Sequence, residues 1–252
     1  MKIDVAFRAA DVTQELVRGR IAVVIDVLRA TTMIASLLNA GAREVWPVKE
    51  VEEARSLAAR LDGALLAGER GGLPPPGFDM GNSPRDIDPA RVAGAPVVIT
   101  TTNGTAAIER AAGADALVTA AFVNAGAVAQ GLLQSGASQL IIICAGTRGA
   151  FSLDDALCAG HLITRLQEGR AGVELTDSAL AARLLYQGQR EDLFSALLEC
   201  AHGKVLQELG LKEDIELARR VDSIDLIPVR IWKDGRCVLQ AAPPGKGLAA
   251  AP

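Results

Sequence analysis

The chain has 252 residues, half of them hydrophobic and 22% charged, with 26 Lys and Arg against 30 Asp and Glu for a net charge of −4. That length and apolar content allow a large core without disulfide or metal staples and exclude a disordered chain. The acidic balance and an aromatic content of 3% argue against a nucleic-acid partner, which needs a basic face or rings for stacking. Four cysteines, at 144, 158, 200 and 237, make no CxxC and read as reduced, buried thiols of a cytoplasmic protein. Two histidines are too few for a His-based metal site. Charges interrupt the N-terminal MKIDVAFRAAD, against a signal peptide. Residues 116–147 carry no charge, yet glycines, glutamines and Asn124 divide them. They read as strand, helix, strand in a buried sheet, with no membrane partner.

Apolar runs of strand length fall at 2–7, 21–27, 44–48, 64–67, 96–100, 116–119, 139–144 and 226–232. AVVIDVL and LIIICAG are nearly continuous in branched residues, as in strands covered on both faces. Helix-period segments alternate with them at 31–40, 51–61, 105–112, 124–133 and 153–167. This alternation predicts an α/β fold: three layers, with mostly parallel buried sheet flanked by helices. After Gly169 the texture turns helical, at 176–186, 191–200, 204–209 and 212–221. A short terminal hairpin with an Asp234-Gly235 turn closes the chain. The organisation expected is one domain over 1–240, with two intertwined subdomains as the other division, and a frayed tail at 241–252. Residues 68–89 form a long aperiodic loop rich in Gly and Pro, a form that is usually functional or disordered.

Ligands of open parallel sheets bind beyond the carboxyl ends of the strands. Four such ends carry polar or glycine-rich turns: DVLRATT from Asp26, GERGG from Gly68, TTTNGT from Thr100, and AGTRG from Ala145 with SLDD soon after. In a parallel sheet these turns share one edge. Thr, Asn and Gly at a strand-to-helix turn present hydroxyls and backbone N–H groups to an anion. Arg29, Arg70 and Arg148 add charged forks. Asp26, Glu69, Asp154 and Asp155 are hard oxygen donors suited to Mg²⁺. Together they suggest metal-assisted chemistry on a small, anionic, phosphorylated substrate.

Each feature also has a plainer reading. Asp154 and Thr31 suit helix caps, and Asn103-Gly104 suits a tight turn. Glu69 and Arg70 could form a surface ion pair, and His202 could be an ordinary polar helix residue. Asp26 resists such a reading, because a carboxylate ending the most apolar strand must be paired or sit at an edge. No P-loop, DxDxT, CX5R or GxSxG motif is present.

The segments VIDVLRATT (24–32), GER (68–70), GFDMGNSP (77–84), TTTNGT (100–105), CAG (144–146), FSLDD (151–155), HG (202–203), LG (209–210) and EDI (213–215) run in one order over nearly the whole chain. In these the chain resembles the 2-phosphosulfolactate phosphatase family. The resemblance implies a Mg²⁺-dependent phosphoric monoester hydrolase. The family's substrate is 2-phospho-3-sulfolactate, cleaved to 3-sulfolactate and phosphate on the route to coenzyme M. Where many members read Glu-Asp this chain has Asp154-Asp155, which shortens the first reach and favours Asp155 as the ligand.

Carried onto this sequence, the resemblance implies Asp26, Glu69 and Asp155 as metal ligands, with Arg29 beside them as catalytic residues. Thr31, Arg70, Thr101, Thr102, Asn103, Gly104, Thr105 and Arg148 would bind substrate, and Asp79, Asn82 and Ser83 would close over it as a lid. Attack by water with a carboxylate as base, and attack by Asp26 through a phosphoaspartate, are both open. The competing class is a binding protein for a phosphorylated or sulfonated metabolite. A homodimer is the base-rate assembly.

Overall fold

Branched side chains fit a pleated, doubly covered surface, so the Val- and Ile-rich runs become strands. In the computed structural model, which describes residues 1–244 and 248, the strands are β1 (Lys2–Ala6), β2 (Ile21–Ile25), β3 (Glu44–Val48), β4 (Leu65–Gly68), β5 (Pro96–Thr100), β6 (Ala116–Ala120), β7 (Gln139–Cys144), β8 (Glu174–Leu175), β9 (Ile227–Lys233) and β10 (Arg236–Ala242). The helices are α1 (Gln14–Val17), α2 (Ala30–Asn39), α3 (Val51–Ala58), α4 (Pro89–Val92), α5 (Gly104–Arg110), α6 (Ala125–Gln134), α7 (Leu153–Gly169), α8 (Asp177–Gln189), α9 (Leu193–Glu199), α10 (Ala201–Glu208) and α11 (Lys212–Ala218). No helix among the described residues is long and apolar enough to cross a membrane.

The strands form one mostly parallel sheet in the order β4-β5-β3-β10-β9-β6-β2-β7-β1-β8. Strand periodicity divides the core between its faces. Ile21, Val23 and Ile25 of β2 and Leu140, Ile142 and Cys144 of β7 pack with α6 and α7. Ala22 and Val24, with Ile141 and Ile143, pack on the other face with α2 and α5. The result is the expected three-layer α/β fold. α3 covers β3 and β5 through Ala54, Leu57, Trp46 and Val98.

Three expectations need correction. The Asp234-Gly235 hairpin is not a terminal appendage: β9 and β10 lie in mid-sheet between β6 and β3. Positive φ angles of 52° and 70° at these two residues form the mirror-image turn that matches strand twist. Second, because the hairpin pairs antiparallel with both neighbours, the two parallel halves run in opposite directions. The functional strand ends therefore do not share a flat edge. Five interstrand steps separate β2 from β5, and at about 20–25° each they accumulate roughly 100–125° of twist. That turns the two sets of strand ends toward each other, and α2 and α5 meet between them. Third, β10 runs to Ala242, two residues into the segment expected to fray, and Leu248 is buried against α6. Of that tail, 245–247 and 249–252 lie outside the described residues.

Candidate active site

β2 delivers Asp26 to the site. Thr31, in the first turn of α2, locks its backbone: the Thr31 hydroxyl accepts from Asp26 N–H at 3.0 Å and donates to the Asp26 carbonyl at 2.8 Å. Thr31 is fully buried and positions Asp26 through these two bonds. The Asp26 carboxylate accepts weakly from Ala30 N–H at 3.3 Å.

Asp155 enters from the first turn of α7. Its oxygens accept from Val27 N–H at 2.9 Å and Gly146 N–H at 3.0 Å, clamping the turns after β2 and β7 together. Asp154 beside it accepts from the Ser152 hydroxyl at 2.5 Å. All three aspartates are buried. Burial, reinforced by the Asp154 charge, pushes Asp26 up to about 7. Burial and the charges of Asp154 and Asp26 push Asp155 well above the ordinary carboxyl range.

Glu69 follows β4. Gly68 allows the approach, since at its φ of +143° a β-carbon would lie 2.0 Å from the Thr100 carbonyl oxygen. Glu69 accepts from Thr102 N–H at 2.8 Å and Gly72 N–H at 2.9 Å. Burial pushes its carboxyl up, but these N–H groups outweigh it and hold the group below its ordinary value. Glu69 thus ties the loop after β4 to the turn after β5. In that turn the Thr101 hydroxyl accepts from Thr105 N–H, and the Thr105 hydroxyl donates to the Thr101 carbonyl at 2.9 Å. Both threonines are buried and shape the turn. Gly104 packs on Asp26, and Asn103 accepts from Arg148 N–H at 3.0 Å.

The three arginines have different fates. Arg29 donates to Asp214 Oδ2 at 2.5 Å and the Gly72 carbonyl at 2.7 Å, buried throughout. Arg70 donates to the carbonyls of Glu69 and Lys49 and to the Thr100 hydroxyl. Both therefore bind the fold to itself. Arg148 alone of the three is exposed, on the turn after β7.

The long loop is stapled down. Ser83 donates to Asp214 Oδ1 at 2.6 Å, and Gly68 N–H reaches the Gly81 carbonyl. Asp79 turns to Leu66 N–H and to Arg91 at 2.7 Å and does not line the cavity. Asn82 is buried, with its Oδ1 unpaired among the described residues.

A cavity of about 220 Å³ opens beside these groups, walled by Glu69, Gly72, Thr102, Asn103, Thr147, Arg148 and His202. His202 comes from the first turn of α10. Burial keeps it below its ordinary value, with Asp154 and Glu69 pulling the other way, so the imidazole is neutral at pH 7. The volume suits a metabolite of a few carbons.

Among the described residues no three His, Cys, Asp or Glu side chains gather closely enough to hold a metal by themselves. Asp26, Glu69 and Asp155, expected as metal ligands, are not drawn around one point in this arrangement. Mg²⁺ needs only one or two carboxylates, with water and phosphate oxygens for the rest. Asp26 and Asp155, buried and mutually repelling, fit that smaller demand.

His202, Asp214 and Ser152 gained no role from sequence reasoning. His202-Gly203 and Glu213-Asp214-Ile215 were nonetheless signalled by lying in the matched segments.

The profile of the 2-phosphosulpholactate phosphatase family matches residues 7–232. The chain belongs to this family. It is 38% identical over 238 residues to a protein of Clostridium beijerinckii, covering 94% of this chain and 98% of that one. It is 40% identical to one of Clostridium novyi, over 90% and 96%, and 36% identical to one of Carboxydothermus hydrogenoformans, over 96% and 98%. Each relative is named "Probable 2-phosphosulfolactate phosphatase". Family membership makes the buried carboxylates and the cavity beside them the place to look for phosphomonoester chemistry.

Proposed function

We propose that this chain is a Mg²⁺-dependent phosphatase that hydrolyses 2-phosphosulfolactate, or a related phosphorylated 2-hydroxy acid, to the free hydroxy acid and phosphate. Family membership supplies the class, a phosphoric monoester hydrolase. What supports the finer reading is the buried cluster of Asp26, Asp154 and Asp155, whose charges act on one another and on which Gly104 packs, next to a small cavity walled by Glu69, Asn103, Arg148 and His202. Two buried carboxylates, each pushed up by burial and by the Asp154 charge, are a poor anion receptor alone and a good cation site.

Asp26 and Asp155 would hold the metal. Bound there, Mg²⁺ supplies charge neutralisation for the phosphoryl oxygens as the ester bond breaks. Thr105 N–H is held by Thr101, and the other first-turn amides of α5, those of Gly104 and Ala106, add donors for those oxygens. Glu69 keeps the turns after β4 and β5 in register. His202, neutral and on the cavity wall, accepts the proton of an attacking water.

The test is phosphate release from 2-phosphosulfolactate and from 2-phospholactate, with Mg²⁺ and with a chelator. Release that needs Mg²⁺ and favours the sulfonated ester supports the reading. Release only from other phosphoesters reassigns the substrate. Mg²⁺-dependent ligand binding without release would favour a binding protein.

A further inference from the structure

Among the three arginines that follow the site's strands, two have both terminal nitrogens committed, with Arg29 Nε buried and unpartnered among the described residues. Turning Arg29 outward would strand buried Asp214 and the Gly72 carbonyl. Turning Arg70 outward would strand the carbonyls of Glu69 and Lys49. Leaving buried acceptors unpaired is costly, so neither can turn its terminal fork toward a ligand. Arg148 stands on the cavity wall with its side chain exposed. Among the described residues its one hydrogen bond is through the main chain, from its N–H to Asn103 Oδ1.

The backbone of Arg148 is unusual. Its φ is +52°, in the left-handed region that residues with a β-carbon avoid. The conformation is held from both sides. Thr147 and Ala150 exchange two main-chain hydrogen bonds of 3.0 Å around the turn, and Asn103 fixes the Arg148 amide from the turn after β5. The left-handed turn is thus held in place by Asn103 of the neighbouring turn, and it carries an exposed cation on the cavity wall.

We infer that Arg148 is the specificity-determining residue of the site and binds the sulfonate of the substrate. The inference rests on the activity proposed above. The buried carboxylates mark the metal and phosphate end of the site, where a second anion is unwelcome. The substrate's carboxylate is attached to the carbon that bears the phosphate. The sulfonate stands one carbon farther out, toward the exposed wall where Arg148 lies. A guanidinium fork matches a sulfonate's oxygens with two parallel N–H donors.

The experiment compares kcat/KM for phosphate release from 2-phosphosulfolactate and 2-phospholactate in the wild type, Arg148→Gly and Arg148→Lys. Glycine accepts the positive φ, so its effect reports the lost side chain rather than a refolded turn. The expected result is a fall of about 10²-fold in the ratio of sulfonated to unsulfonated turnover for Arg148→Gly, expressed mainly in KM, with Lys between. An unchanged ratio, whether both substrates suffer equally or neither does, overturns the assignment. If the wild type releases phosphate from neither ester, the proposed activity has failed, and calorimetric binding of 3-sulfolactate against lactate decides the role of Arg148. Sulfolactate affinity at least tenfold weaker in Arg148→Gly upholds it. Equal affinity, or no wild-type preference for sulfolactate, overturns it.

Discussion

Gly104 lies so close to Asp26 that a β-carbon on it would sit 2.8 Å from Asp26 Oδ2 and 2.4 Å from the Ala30 methyl. Neither neighbour is the far end of a flexible chain, so the strain cannot be relieved locally. Gly104→Ala is expected to destabilise the protein by about 1–3 kcal/mol and to lower kcat by at least about tenfold by displacing the carboxylate. Gly188→Ala is the control: that helical glycine has nothing within 4 Å, and the change should stabilise by about 0.5–1 kcal/mol. Equal effects in urea melts and turnover assays would contradict the contact.

Arg29 and Asp214 join the turn after β2 to α11, and both are wholly buried. Removing one partner leaves the other charge uncompensated. Asp214→Ala should cost about 3–5 kcal/mol in denaturant midpoints. A loss under about 1 kcal/mol would mean that water or another group already serves Arg29.

Asp26 gives a stability prediction whose sign differs from its effect on catalysis. Its folded pKa of about 7 stands above the ordinary 3.8. The folded state therefore keeps a proton that the unfolded chain gives up, and stability falls as pH rises from about 4 through 7. In metal-free protein, Asp26→Asn should raise Tm at pH 8 and leave it nearly unchanged at pH 4. A lower Tm at pH 8 would show that the carboxylate is compensated.

His161 lies between Phe122 and Tyr186 with both ring nitrogens unpaired among the described residues. Burial, the larger effect, sets its pKa at about 4 against the ordinary 6.5. As pH falls below 6.5 the unfolded chain takes a proton that the folded one refuses until about 4. Stability present above pH 6.5 is then lost across that window, on the order of 2 kcal/mol between pH 7 and pH 5. His161→Leu should flatten the dependence in chemical denaturation at the two pH values. An unaltered slope would assign it to other groups.

Much of the layer architecture was legible because it rests on local pattern. Val and Ile runs make strands, and Asp234-Gly235 makes a turn, whatever lies far away. The place of that hairpin in mid-sheet was not legible, because it depends on Val118 meeting Val229 and Val45 meeting Leu239. From that one miss follows the wrong expectation of a shared strand edge. Asp26 could be singled out from its position after an apolar strand. Arg29 and Arg70 could not be separated from Arg148, since their partners Asp214 and Lys49 come from segments that sequence order keeps apart. A lone His202 on an amphipathic helix has no local signature; only the fold brings it to Glu69 and Arg148.

The central claim is that the buried carboxylates beside the cavity carry phosphomonoester hydrolysis, and Asp26→Asn tests it most directly. The measurement is the rate of phosphate release from 2-phosphosulfolactate at saturating Mg²⁺, variant against wild type, with the variant's fold checked by circular dichroism. The account predicts a fall of several orders of magnitude in a folded protein. Turnover within a few-fold of wild type would contradict it and move the chemistry elsewhere in the fold.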